Sequence, residues 1–87
     1  MRAAKVDANQ AEIVEALRKR GASVQSLAAV GKGVPDLLVG YAGHTFLLEV
    51  KGANGKLTDD QKIWHAGWNG QVAIVRTVKE ALRVLKL

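Results

Sequence analysis

Two strand-like segments joined by a short turn constrain the fold of this 87-residue chain more than any other feature. Residues 36–41 form one largely apolar run, residues 42–44 (Ala-Gly-His) are turn formers, and residues 45–51 form the second run. This arrangement predicts a β-hairpin. A chain of this length is enough for one domain and too short for two, and its core must be thin.

Three helices are predicted around the hairpin, and each opens with a residue pair in capping-box spacing. The pairs are Asp7 with Gln10, Thr58 with Gln61, and Thr77 with Glu80. The first helix covers residues 7–20, the second runs to about residue 68, and the last begins at residue 77. Extended segments at residues 22–28 and 72–75 add one strand before the hairpin and one after it.

The element order is therefore αβββαβα. It predicts an α/β (α+β) fold with a mixed central sheet flanked by helices. The hairpin, the second helix and the last strand contain a β-α-β crossover, so the last strand should run parallel to its partner. No repeat, low-complexity segment or linker divides the sequence, and we assign residues 1–87 to a single domain.

The composition limits the partners and the location of the protein. Thirteen Lys and Arg residues against 8 Asp and Glu give a net charge of +5, which suits a polyanion but equally keeps a small domain soluble. The absence of cysteine excludes disulfides and thiolate metal sites. No apolar run approaches the roughly 20 residues that span a membrane, so we expect an intracellular, cytoplasmic protein with no membrane partner.

The hairpin carries charged residues where an apolar sheet would exclude them. Asp36 begins the first strand directly after Pro35, and Glu49 and Lys51 lie two residues apart on the second strand. Because side chains alternate along a strand, Glu49 and Lys51 point to the same face. Burying such groups costs several kcal/mol per ion unless they are paired or bind a metal. The hairpin register allows Asp36 to lie beside Glu49.

A divalent cation explains the two carboxylates, because it relieves the repulsion between Asp36 and Glu49. Oxygen ligands of this kind suit Mg²⁺ or Mn²⁺ rather than zinc. A cation in this place promotes phosphodiester hydrolysis, since it lowers the pKa of a bound water and polarises the phosphate. Lys51 can orient the attacking water or stabilise the developing negative charge. The alternative interpretation is a surface salt bridge between Glu49 and Lys51.

Three short motifs follow one another between residues 33 and 68. They are Gly33-Val34-Pro35-Asp36-Leu37-Leu38, then Leu48-Glu49-Val50-Lys51, then Gly55-Lys56-Leu57-Thr58 with Gln61. In this order and at these spacings they resemble the VRR-NUC family of the PD-(D/E)xK nuclease superfamily. The family pattern is a G-x-P-D strand, an E-x-K strand and a helix that begins soon afterwards with a glutamine. The flanking elements fit the restriction-endonuclease-like core of that superfamily.

The resemblance implies an Mg²⁺- or Mn²⁺-dependent DNA endonuclease with the three charged hairpin residues at its catalytic centre. It adds Gln61 to the active site, although this residue also fits the capping box with Thr58. On the first helix it indicates Glu12 as a further metal-linked carboxylate. Glu15, one turn on, is a rival, and a solvated helix face explains either residue equally well.

The smallest stand-alone members of the family act as dimers and favour branched DNA such as four-way (Holliday) junctions, so the resemblance also implies a homodimer. Trp64 and Trp68 share one helix face, which favours core or dimer contacts over base stacking. Three lysines flank the proposed site and are candidates for phosphate contacts, although solvated loop lysines need no such role: Lys32, Lys56 and Lys62.

A non-catalytic DNA-binding or assembly module that retains the fold is the alternative function. The charged residues of the hairpin favour the enzyme, because binding alone has no chemical need for two carboxylates and a lysine in this pattern. A nuclease assay with Mg²⁺ or Mn²⁺ on linear, flapped and four-way DNA distinguishes the two.

Overall fold

Residues 7–87 are described by a computed structural model of the chain, and they are arranged around one four-stranded sheet. The helices are Gln10–Lys19 (α1), Asp59–Gly67 (α2) and Val78–Val84 (α3), and the strands are Ser23–Ser26 (β1), Leu37–Tyr41 (β2), His44–Val50 (β3) and Ala73–Val75 (β4). The predicted order αβββαβα is confirmed. The first six residues of the predicted 1–87 domain lie outside the described range. Within that range, no helix is long and apolar enough to cross a membrane.

The strands lie side by side in chain order, β1-β2-β3-β4. β2 pairs antiparallel with β1 on one side and with β3 on the other, where the two form the predicted hairpin. β4 pairs with β3 in parallel, because α2 and its flanking loops carry the chain back along the sheet before β4 begins. The mixed sheet and its parallel last strand both confirm the sequence prediction.

The hydrophobic core lies on one face of the sheet, under α1 and α3. It is built from strand residues that alternate onto this face and from the inner faces of the two helices: Leu37, Val39, Leu48, Val50 and Val75 from the sheet, Ile13 and Leu17 from α1, Ala81 from α3, and Leu85 directly after α3. Full burial of such a Leu, Ile or Val contributes about 1.5–3 kcal/mol. The alternation sends the residues between them, Glu49 among them, to the other face.

Away from Glu49 and Lys51, that opposite face is uncovered. Leu38 of β2 and Ile74 of β4 are exposed, and α2 buries none of its residues. Of the core or dimer contacts predicted for the two tryptophans, the core contacts are not found among residues 7–87 for the same reason, and the dimer contacts stay a prediction. Trp64 and Trp68 instead stack on each other with ring centroids 4.8 Å apart, and Trp68 is 43% exposed.

The first helix begins later than the capping-box spacing predicted. α1 starts at Gln10 rather than at Asp7, and Asn9 occupies the N-cap position without capping the helix through its side chain. Asn9 Nδ2 instead donates to the carbonyl oxygens of Lys51, at 3.0 Å, and Arg76, at 2.8 Å. Contacts to the end of the sheet thus replace the local cap. The helix ends at Lys19, one residue before the predicted boundary.

The third predicted capping box forms only by half. The Thr77 hydroxyl accepts from the Glu80 N–H at 3.1 Å, as the spacing predicted. The Glu80 carboxylate, however, accepts from the N–H of Arg76 at 2.7 Å and not from that of Thr77. The pair Thr58 and Gln61, by contrast, forms a complete box at the start of α2.

Candidate active site

The hairpin register brings Asp36 and Glu49 together. Leu37 pairs with Leu48, so Asp36, the residue before β2, comes next to Glu49 as the pairing continues. The Asp36 carboxylate also accepts a hydrogen bond from the backbone N–H of Val50, with Oδ2 2.7 Å from the nitrogen. The backbone of β3 thus holds the Asp36 side chain in place beside the second carboxylate.

Glu49 and Lys51 form a buried pair rather than a surface salt bridge. Glu49 is 1% exposed and Lys51 is 9% exposed, and Lys51 Nζ lies 3.8 Å from Glu49 Oε2. Both side chains leave the sheet on the face opposite the hydrophobic core. Desolvation of two charges opposes their mutual attraction, so a buried pair is weak support for the fold by itself. Stabilisation of the fold therefore does not by itself explain why Glu49 and Lys51 are buried here.

Gln61 uses both ends of its side-chain amide at once. Its Oε1 accepts from the N–H of Thr58 at 2.9 Å, which closes the capping box. Its Nε2 donates to Glu49 Oε2 at 3.1 Å. Gln61 therefore closes the capping box and contacts Glu49 at the same time, and the N-terminus of α2 is fixed to Glu49.

The loop before Asp36 packs against the first turn of α2. Gly33 has a φ of +83°, and a Cβ added there would overlap the backbone carbonyl of Asp60. Glycine alone permits both this backbone conformation and this approach. The contact joins the segment that carries Asp36 to the helix that carries Gln61, so the three sequence motifs converge on one place.

Burial and a second carboxylate change the acidity of Glu49. The pKa of Glu49 is raised from 4.5 to about 8, first by burial, then by a hydrogen bond that the protonated carboxyl makes with Asp36 and by the Asp36 charge, while the Lys51 ammonium opposes the rise. Within residues 7–87, the buried Glu49 Oε1 has no hydrogen-bond partner. An unpartnered carboxylate oxygen beside a second carboxylate is the chemical situation that a bound cation relieves.

The donors suit a hard cation that keeps several water ligands. Asp36 and Glu49 offer oxygen only, and Mg²⁺ typically binds proteins through one or two carboxylates with water in the remaining positions. The described part of the chain contains no group of three or more His, Cys, Asp and Glu side chains that could hold a metal ion. A closed structural zinc site has four protein ligands, more than the two carboxylates offered here.

Glu12 does not join this group. It is exposed in the first turn of α1, and its rival Glu15 is exposed as well. Asp7, which the sequence presented as a helix cap, is instead a carboxylate whose charge contributes to the raised pKa of Glu49. A Cβ added at Gly52 would be 3.8 Å from Asp7 Oδ1. The sequence did not indicate that Asp7 lies near Gly52, because its spacing from Gln10 suggested a helix cap instead.

The three lysines proposed for phosphate contacts are all exposed, each on a different segment near the site. Lys32 lies between two glycines, in the loop that touches α2, and has a φ of 54°. Lys56 belongs to the loop that follows β3, and Lys62 directly follows Gln61 in α2. Each is thus close in sequence to a residue of the site, and none belongs to the buried pair.

Comparison with known proteins agrees with the fold and the motifs. The sequence profile of the VRR-NUC domain matches residues 2–79. A solved structure of a VRR_NUC domain has a TM-score of 0.70 to this fold, with 24% sequence identity over 92% of this chain and 97% of that chain. No curated protein matches the sequence. A profile match over most of the sequence, supported by the same fold, shows that this chain belongs to the VRR-NUC family of nuclease-type domains.

Proposed function

We propose that this chain is a metal-dependent DNA endonuclease that hydrolyses phosphodiester bonds. One observation carries the proposal: the buried Glu49 carboxylate lies beside Asp36 with a pKa raised to about 8, and its Oε1 has no hydrogen-bond partner among residues 7–87. A fold that needed only a stable sheet would have an apolar residue at this position. Perturbed acidity in a group with specific charged neighbours is a common property of active sites.

Asp36 and Glu49 would hold Mg²⁺ or Mn²⁺. When bound, the cation supplies Lewis acidity toward the phosphate and lowers the pKa of a water ligand. Gln61 fixes the Glu49 carboxylate through its hydrogen bond to Oε2, while Oε1 has no partner among residues 7–87. Asp36 is held by its bond to the backbone of β3, so neither carboxylate has to be ordered when the cation arrives.

Lys51 supplies the positive charge that the reaction needs on the protein side. In hydrolysis, water gives up a proton as its oxygen bonds to phosphorus, the bond from phosphorus to the leaving oxygen breaks, and the leaving oxygen takes up a proton in balance. Negative charge accumulates on the phosphate oxygens on the way. The Lys51 ammonium, on the same face as Glu49, donates hydrogen bonds to these oxygens or to the attacking water.

DNA is the proposed substrate, and the exposed lysines are its proposed backbone contacts. Lys32, Lys56 and Lys62 place positive charge on three segments around the carboxylates. Contacts of this kind neutralise phosphates and fix the register of the duplex without reading its sequence. A nucleic-acid substrate also agrees with the intracellular, cytoplasmic location expected from the composition.

Branched DNA such as a four-way junction is the finer proposal, and a homodimer goes with it. The uncovered face of the sheet and α2 leave apolar side chains in solvent, with Ile63 73% exposed near the stacked tryptophans. Exposed apolar patches usually mark an interface. A two-fold dimer through this surface would present two active sites to a substrate that itself has two-fold symmetry.

A nuclease assay tests the proposal directly. The purified chain is incubated with Mg²⁺ or Mn²⁺ and with linear, flapped and four-way DNA of matched sequence, and Asp36→Asn serves as the control for contaminating nucleases. Cleavage by the wild type alone supports the enzyme, and preference for the junction supports the finer proposal. DNA binding without cleavage under every condition would favour the non-catalytic module instead.

A further inference from the structure

The sheet ends at Lys51, and the backbone there is held from both sides. Lys51 lies one residue beyond β3, and its N–H donates to the carbonyl of Val75 at 3.0 Å. Its own carbonyl accepts from Asn9 Nδ2 at 3.0 Å. Lys51, the residue proposed to act on the phosphate, is thus the last residue here whose backbone is hydrogen-bonded to the neighbouring strand. The chain turns away directly afterwards.

A single side chain holds the turn that follows. Arg76 Nη1 donates to the carbonyl oxygens of Gly52, at 2.6 Å, and Gly55, at 2.7 Å. The turn is closed by its own bond from the Gly55 N–H to the Gly52 carbonyl at 3.1 Å. Hydrogen bonds from a charged donor are stronger than neutral ones, so the guanidinium dominates the order of this segment.

Arg76 is in turn held by the two helices that cover the core. Its N–H donates to Glu80 of α3 at 2.7 Å, and its carbonyl accepts from Asn9 at 2.8 Å. Asn9, at the start of α1, therefore bonds to both Lys51 and Arg76. One polar network joins three segments that are far apart in sequence, and Lys51 belongs to it through its backbone carbonyl.

We propose that Arg76 and Asn9 are positioning residues for Lys51. They fix the backbone from which the Lys51 side chain extends, and so aim its ammonium along the face that carries Glu49. This inference rests on the proposed catalytic role of Lys51. Neither residue needs to contact the substrate, because displacement of a reacting group by about 1 Å can cost on the order of 100-fold in rate.

Asn9 is informative because its side chain does not cap α1. In most helices, loss of an N-cap asparagine removes a bond to the helix itself. Here Asn9→Ala removes only the bonds to the Lys51 and Arg76 carbonyls. Its effect on catalysis can therefore be separated from an effect on the start of the helix.

The test compares four variants of the full chain by steady-state cleavage, Mn²⁺ titration and thermal melting. Arg76→Met removes the donors and keeps much of the side-chain volume, and Arg76→Lys retains a cationic donor. Asn9→Ala interrupts the network from the other side. Arg83→Met is the matched control, because Arg83 is exposed on α3 and loses the same charge.

We expect Arg76→Met and Asn9→Ala to lower kcat by roughly 10- to 100-fold, as for other residues that orient an active-site group, with KM and Mn²⁺ affinity changed by no more than about threefold. Arg76→Lys should recover most of this loss, and Arg83→Met should match the wild type. Wild-type kcat in Arg76→Met would overturn the proposal. The proposal would also be overturned if the loss of kcat followed the loss of thermal stability and Arg76→Lys recovered no more activity than Arg76→Met.

A second measurement does not depend on nuclease activity. Lys51 is 9% exposed, so an acylating reagent should modify it slowly in the wild type. Mass spectrometry should show faster acylation of Lys51 in Arg76→Met and in Asn9→Ala, with no change in Arg83→Met. If the wild type cleaves no DNA, the proposed function fails while this measurement still decides whether the network holds Lys51. Unchanged acylation in both variants would overturn the positioning role.

Discussion

Gln61 and Glu49 are joined by a hydrogen bond that couples a helix cap to a buried carboxylate. Gln61 Nε2 lies 3.1 Å from Glu49 Oε2, and Oε1 of the same amide lies 2.9 Å from the backbone nitrogen of Thr58. The start of α2 and the orientation of Glu49 are therefore fixed by one side chain. A substitution that changes one end of the amide separates these two functions.

Gln61→Glu is such a substitution. Glutamate retains an acceptor for the Thr58 N–H but replaces the donor to Glu49 with a second negative oxygen. We expect DNA cleavage to fall by roughly 10-fold or more, as for other partners of metal ligands. Gln61→Ala should in addition lose about 0.5–2 kcal/mol of stability with the capping box. Cleavage assays and urea denaturation of both variants measure this, and equal activity of Gln61→Glu and wild type would contradict it.

The two carboxylates should be required for both cation binding and cleavage. Asp36→Asn and Glu49→Gln preserve shape and remove charge, so we expect folded proteins that bind Mn²⁺ weakly and cut DNA at less than about 1% of the wild-type rate. Glu15→Gln, an exposed change on α1, serves as the control and should behave as the wild type. Calorimetric titration and a cleavage time course provide the readouts. Near-normal cleavage by either site variant would remove that carboxylate from the site.

Lys51→Ala should separate cation binding from turnover. The lysine is assigned to the attacking water or the charged phosphate and not to the cation, so Mn²⁺ binding should remain while the rate falls by on the order of 100-fold or more. The same calorimetric titration, paired with single-turnover cleavage, measures both quantities. Joint loss of Mn²⁺ binding and activity would indicate instead that Lys51 maintains the structure of the site.

Gly33 should be more sensitive to substitution than Gly31, although both have positive φ. Gly33→Ala combines a φ of +83° with overlap between the new Cβ and the Asp60 carbonyl, whereas Gly31 has no atom within 4 Å of that position. Gly31→Ala should therefore cost only the backbone strain of about 1–2 kcal/mol. Gly33→Ala should lower the free energy of unfolding by more than Gly31→Ala does. It should also lower the rate of DNA cleavage, because α2 must move away from the site. Denaturation and cleavage assays decide, and equal costs at the two positions would show that the close contact is absent.

The raised pKa of Glu49 predicts how the stability of the cation-free protein depends on pH. Between its unfolded pKa near 4.5 and its folded pKa of about 8, Glu49 is protonated when folded and ionised when unfolded. Its contribution to stability is therefore complete below about pH 4.5 and is lost as the pH rises to about 8. Over this range the free energy of unfolding should fall by no more than about 1.4 kcal/mol per pH unit.

Glu49→Gln provides the comparison for this pH dependence, because it removes the titrating group and leaves the others in place. Urea denaturation in the presence of a chelator at pH 5, 6.5 and 8 should show the variant gaining stability relative to the wild type as the pH rises. A difference that stays constant across these three pH values would show that Glu49 has an ordinary acidity.

The sequence alone determined the elements whose signals are local. The hairpin, the αβββαβα order and the capping box of Thr58 with Gln61 each depend on residues close together along the chain, where period and spacing set the structure. The spacing of Glu49 and Lys51 likewise placed both on one face, because alternation along a strand requires it. The register that brings in Asp36 follows from the short hairpin turn.

Only the tertiary structure decided what each of those faces meets. Asn9 bonds to residues 42 and 67 positions away, Asp7 approaches the site instead of capping a helix, and the tryptophans stay outside the core. The periodicity of a segment shows which side chains share a face but not which distant segment covers it. Packing selects among contacts that local propensity leaves equally available, and a favourable long-range contact can replace a local one, as it does at Asn9.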